Sequence, residues 1–122
     1  MKRDMETVRQ LLLEIEELES ASNHGVLVVE GLEQPNVDYH LMLLNDHGLI
    51  TWANFLQDPD CGGTFFDLRM TWAGHEFLDD ARNEGAWQQV RELIRDKDVK
   101  NVSFSILSQL LSRQVAASFG LQ

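Results

Sequence analysis

The stretch Leu43-Leu44-Asn45-Asp46-His47-Gly48-Leu49-Ile50 constrains the fold more tightly than any other part of the sequence. Paired leucines bury the end of a helix, a glycine turns the chain, and two aliphatic residues start a strand. Upstream, Val37, Tyr39 and Leu41 join the leucines on that helix. Asn36 is placed to cap it, after a turn over residues 31–36 that Pro35 closes. Downstream, residues 49–56 read as a strand in which Ile50, Trp52 and Leu56 alternate with Thr51, Ala53 and Phe55. Residues 57–63 (Gln-Asp-Pro-Asp-Cys-Gly-Gly) form a turn. Residues 64–70 then return, with Phe66, Leu68 and Met70 set against Phe65, Asp67 and Arg69, which makes a hairpin.

The flanking segments are mainly helical. Met5, Val8, Leu12, Ile15 and Leu18, with Leu11 beside them, form an apolar stripe, and Glu14, Glu16, Glu17 and Glu19 take the opposite face. Asp4 and Glu6 suit the positive end of that helix. After turn residues 20–25, the apolar, β-branched run at 26–30 reads as a strand. Thr71 is placed to cap a helix running to about Arg82, which Asn83-Glu84-Gly85 breaks. Trp87, Val90, Leu93 and Ile94 mark a further helix toward Asp98. Ser103 or Ser105 starts the last one, where Phe104, Leu107, Leu110, Leu111, Val115 and Phe119 are spaced for burial. At 122 residues the chain has room for a single domain with one core. The predicted class is α+β and mostly helical: helix, short strand, helix, hairpin, then three helices.

This order, with the hairpin followed by Leu68-Arg69-Met70-Thr71-Trp72-Ala73-Gly74, resembles that of winged-helix domains. The resemblance implies a core over about 3–82, with the hairpin as wing and the helix before it as recognition helix, and a helical extension over about 85–120. It implies a scaffold and no activity. A second likeness covers nearly the whole chain. The start Met1-Lys2-Arg3-Asp4-Met5, the helix Val37-Asp38-Tyr39-His40-Leu41-x-Leu43-Leu44-x-x-x-Gly48-Leu49-Ile50, and Thr71-Trp72-x-Gly74-His75-Glu76-Phe77-Leu78-Asp79 are similar to the bacterial and bacteriophage domain-of-unknown-function family 2513, as is Trp87 in the following helix. That resemblance implies a lineage and a winged-helix-like fold, and brings no catalytic residue with it.

Charge weighs against the usual use of such a scaffold. Ten Lys and Arg against twenty Asp and Glu give a net charge of -10, which repels phosphate backbones and anionic membranes. The recognition-helix segment offers Asp38, His40, Asn45, Asp46 and His47 and no Lys or Arg, and the wing tip carries Asp58 and Asp60. Arg69 stands alone on the return strand. A helix-turn-helix also needs a helix just before the recognition helix, where this chain has a strand and a turn. Lys2, Arg3 and Arg9, and Arg91, Arg95, Lys97 and Lys100, are interleaved with acids and read as solvated faces. Nucleic-acid binding by a transcriptional regulator is therefore the alternative reading, disfavoured by charge.

Catalytic signals are weak. His40 and His47 lie about 10 Å apart along one helix, too far to share a metal, and His24 and His75 are remote in sequence. Cys61 has no cysteine partner. Gly62-Gly63 lacks the Lys-Ser/Thr of a phosphate loop, and Gly74-His75-Glu76 reads as a helix start. The expectation is no catalytic residue, no cofactor and no metal. A lone cysteine fits a reducing compartment, and no apolar stretch is long enough for a signal sequence or a membrane span. The expected location is the cytoplasm, without membrane contact.

Aromatic residues are the remaining candidates. Trp52, Phe66, Trp72 and Phe77 are expected in the core between wing and helix, leaving Phe55 and Phe65 on the other face of the hairpin. The last helix, with Ile106 added, has a wider apolar face than one packing contact needs. The candidate interaction surface is Phe55, Phe65, Tyr39, His40 and Phe119. The predicted function is a protein-interaction or regulatory module, homodimeric and able to take a further protein partner.

Overall fold

A computed structural model describes residues 1–97 and 102–121. It divides into two compact units, Met1–His75 and Glu76–Gln122. The class is α+β: among the described residues there are five helices and two small antiparallel sheets.

In the first unit, α1 (Met5–Glu16) starts where Asp4 accepts the Glu6 N–H with its side chain. It buries Val8, Leu11, Leu12 and Ile15. Helix α2 (Gln34–Asp46) begins two residues before the expected cap. Pro35 sits in its first turn, because a proline ring fixes the helical φ and its missing N–H has no role there. Asn36 is therefore inside the helix and Glu33 is the N-cap residue. The far end obeys local chemistry. Gly48, at φ 81°, lets its own N–H reach the Asn45 carbonyl and the Leu49 N–H reach the Leu44 carbonyl, a Schellman turn.

The hairpin is not two continuous strands. It comprises β2 (Ile50–Thr51), β3 (Asn54–Leu56), β4 (Thr64–Phe66) and β5 (Arg69–Met70). Strands β2 and β5 pair as one sheet, while β3 pairs with β4 in another. The register does not slip across the interruption: Ile50 faces Met70 and Phe55 faces Phe65. What changes is the face. Asp67 adopts φ 55°, so Phe65 is buried below the interruption whereas Leu68 and Met70 are buried above it. Phe65, expected outside, is 4% exposed, and Phe66, expected inside, is half-buried. Asn23 holds the kink in place. Its Oδ1 accepts the Leu68 N–H at 2.9 Å, its Nδ2 donates to the Leu68 carbonyl at 2.8 Å, and its own carbonyl accepts the Asp67 N–H.

Strand β1 (His24–Val26) lies upstream of the expected 26–30 and pairs with β4, giving the order β1-β4-β3. Pairing ends at Val26 opposite Thr64, since the partner strand begins there. Leu27 and Val29 still point inward and Val28 outward. The alternation is real but has no ladder. Residues 27–33 contain no helix.

Thr71 joins the hairpin to α3 (Trp72–Ala81): its Oγ1 accepts the Gly74 N–H and donates to the Gly48 carbonyl. A Cβ on Gly74 would lie 2.1 Å from the Leu49 carbonyl oxygen, so this position admits no side chain. Trp72, expected in the core, is 81% exposed at the first position of α3.

In the second unit, Asn83 accepts the Ala86 N–H to start α4 (Glu84–Asp96), and Ser103 accepts the Ile106 N–H to start α5 (Phe104–Ser118). Trp87, Val90, Leu107 and Leu111 are buried, and Phe77 packs on Phe104 with ring centres 4.7 Å apart. Phe119, expected to be buried with α5, is its C-cap residue and is 78% exposed. Asp98 and Lys100 lie outside the described residues.

Candidate functional site

Helix α2 carries two apolar rows. Val37, Leu41 and Leu44 recur at helical spacing and are buried. Pro35, Tyr39 and Met42 repeat the same spacing on a second row and line an open groove of about 650 Å³ against the loop over residues 57–62. Met42 is 38% exposed, and its sulfur receives the Gln57 side-chain amide at 3.3 Å.

The loop wall is built by carboxylates acting as acceptors. Asp58 Oδ1 takes the N–H groups of Asp60 and Cys61, and the Asp58 carbonyl takes that of Gly62. These bonds, first that from Asp60 and then that from Cys61, hold the exposed Asp58 carboxyl below its ordinary value by stabilising its charged form. Asp38 ties the loop to α2. One of its oxygens accepts the Gly63 N–H at 2.8 Å; the other accepts Gln34 Nε2, which also donates to the Leu27 carbonyl. Both walls are thus fixed by hydrogen bonds within the unit. Asp38, Asp58 and Asp60 line the groove, no Lys or Arg among the described residues does, and Met1 lies against it too.

Of the five candidate interaction residues, only Tyr39 lines this groove, beside the acidic residues Asp38, Asp58 and Asp60 already noted on the recognition-helix segment and the wing tip. His40 is 0% exposed and is a structural link. Its Nε2 accepts the Asp4 N–H at 2.8 Å and its Nδ1–H donates to the Asn36 carbonyl, which requires the neutral ring. Phe65 is in the core, where no partner reaches it. Phe55, directly opposite, is half-buried and stacks on Trp52 at 4.7 Å. Phe119 is exposed on the second unit. Pro35 and Met42 had no place in the expected surface, and nothing in the sequence brings Asp38 together with Asp58 and Asp60. The 35/39/42 spacing is the sequence signal for the apolar row, but the buried 37/41/44 row accounts for the helix by itself. His24, His47 and His75 are exposed, and no cluster of three His, Cys, Asp or Glu able to hold a metal occurs among the described residues.

Comparison with known proteins places the chain in a family. The family described as hypothetical protein (DUF2513) matches residues 2–100. The chain belongs to that family. The DUF2513 match runs from α1 through α4 and includes every groove residue except Met1. An uncharacterized protein of Haemophilus influenzae is 30% identical over 122 residues, covering 92% of this chain and all of that one. No solved structure matches. Among the described residues, no helix is long and apolar enough to cross a membrane.

Proposed function

We propose that this DUF2513 protein is a protein-interaction module on a winged-helix scaffold, with the groove between α2 and the 57–62 loop as its contact surface. Two features support the scaffold. The N-terminal strand β1 pairs with the return strand of the hairpin in the order β1-β4-β3, and α2 passes into the hairpin through a Schellman turn. The observation that carries the function is the character of the surface α2 presents. It is an apolar row of Pro35, Tyr39 and Met42 with acidic neighbours, where a DNA reader would present bases and phosphates with cations. Within residues 1–75 the sequence has four Lys and Arg against thirteen Asp and Glu, so the acidity of the chain is concentrated in the unit that holds the groove. An exposed apolar row beside hydrogen-bonded walls suits a partner side chain better than a polyanion. In this reading the protein is a cytoplasmic homodimer without catalytic activity, the copies meeting through the exposed apolar residues of α5.

The test is affinity capture from bacterial lysate with the wild-type protein and with Tyr39→Ala/Met42→Ala, alongside a mobility-shift assay at low salt. The expected result is a protein retained by the wild type and lost from the folded double variant, with no shift of DNA. Retarded DNA at low salt, or a partner that ignores the double substitution, overturns the reading.

A further inference from the structure

We propose that the groove takes a basic segment of its partner, an Arg or Lys flanked by an apolar side chain. This inference rests on the interaction reading above and adds the chemistry of the occupant. The floor and the rim ask for different things. Pro35, Tyr39 and Met42 offer apolar surface at one helical row, enough for an aliphatic or aromatic anchor. Asp38, Asp58 and Asp60 place three carboxylates around it. The hydrogen bonds of Asp38 and Asp58 come from backbone and amide N–H groups, which are neutral donors, so the negative charge is oriented and not cancelled. Among the described residues the only cationic group that lines the groove is the Met1 amino terminus, so three carboxylates leave room for a further cation.

Arginine suits the site especially well, since a planar guanidinium can lie on the Tyr39 ring while its N–H groups reach a carboxylate. An open trough of this kind would leave a small organic cation largely in water, whereas an extended or helical protein segment covers floor and rim together. Nucleic acid and anionic lipid carry the wrong charge. The loop is already tied down at Asp38 and Gly62, so docking does not have to order it.

The experiment pans a random twelve-residue phage-display library on the full chain, with Tyr39→Ala/Met42→Ala as the subtractive control. Groove-dependent peptides are expected to be net positive, with Arg or Lys beside an apolar residue. One such synthetic peptide is then titrated by fluorescence anisotropy. Asp58→Asn/Asp60→Asn should weaken it about tenfold, the effect of losing two exposed ion pairs. The loop should persist, because the side-chain amide oxygen that Asp58→Asn introduces still accepts the same N–H groups. Glu14→Gln/Glu30→Gln, with the same net charge, should stay within about twofold of wild type. Groove-dependent peptides that are neutral or acidic overturn the basic occupant and leave the interaction reading standing. Equal loss in both charge variants reduces the effect to net charge and overturns it as well. Recovery of no groove-dependent peptide overturns both.

Discussion

Asn23→Ala removes a side chain that stitches the kinked hairpin, and its cost follows from the bonds it breaks. The amide donates to the Ser20 carbonyl at 2.7 Å and to the Leu68 carbonyl at 2.8 Å, and accepts the Leu68 N–H at 2.9 Å. Each such bond contributes about 1 kcal/mol net. Asn23 is half-buried, so water can reach part of what is left, whereas Leu68 is buried and its backbone groups are less easily rehydrated. The sum is about 2–3 kcal/mol, a substantial fraction of the stability of an ordinary domain, about 5–15 kcal/mol. Urea unfolding gives the global change, and hydrogen exchange at the Leu68 amide gives the local one. The amide should lose protection by about tenfold to a hundredfold. Asn23→Asp is the sharper control. It keeps the acceptor but sets a carboxylate oxygen against two carbonyls, so it should cost at least as much as alanine near pH 7 and less in acid. An alanine variant within about 0.5 kcal/mol of wild type, or an unchanged Leu68 amide, would refute the assignment of the kink to Asn23.

Gly74→Ala should cost about 3 kcal/mol or more, because its new methyl meets the Leu49 carbonyl and the helix start must shift; thermal unfolding reads this. Phe65→Ala should cost about 3–5 kcal/mol in urea unfolding as a core truncation, while Phe66→Ala costs markedly less. Asp80 has its carboxyl pushed above the ordinary value, first by burial and then by the charges of Asp79 and Glu76. A carboxyl raised in the folded state destabilises it at neutral pH, and that cost disappears as pH falls below the ordinary carboxylate range. In thermal unfolding, Asp80→Asn should therefore stabilise the protein slightly at pH 7, by less than about 0.5 kcal/mol after solvent screening, and leave it unchanged in acid. Light scattering should return twice the 14.0 kDa monomer mass for the wild type and the monomer mass for Phe119→Asp; a wild-type monomer at high concentration removes the homodimer from the proposal.

Local chemistry alone determined where four of the helices begin and where α2 ends. Asp4, Thr71, Asn83 and Ser103 each supply a side-chain oxygen to a backbone N–H within three residues, and Gly48 ends α2 through its own left-handed backbone. These bonds need nothing from distant chain, so they can be read from a window of a few residues. Strand identity and facing were decided elsewhere. Leu68 finds its partner in Asn23, 45 residues away, and that contact supports the turn at Asp67 that puts Phe65 in the core and leaves Phe66 half-buried. An alternating sequence allows either face, and only the partner chooses. His40 is buried because an N–H from Asp4, 36 residues earlier, meets its ring. The groove has the same origin. Pro35, Tyr39 and Met42 form a row in the sequence, but they become a site only where Asp38 draws the 57–62 loop alongside them.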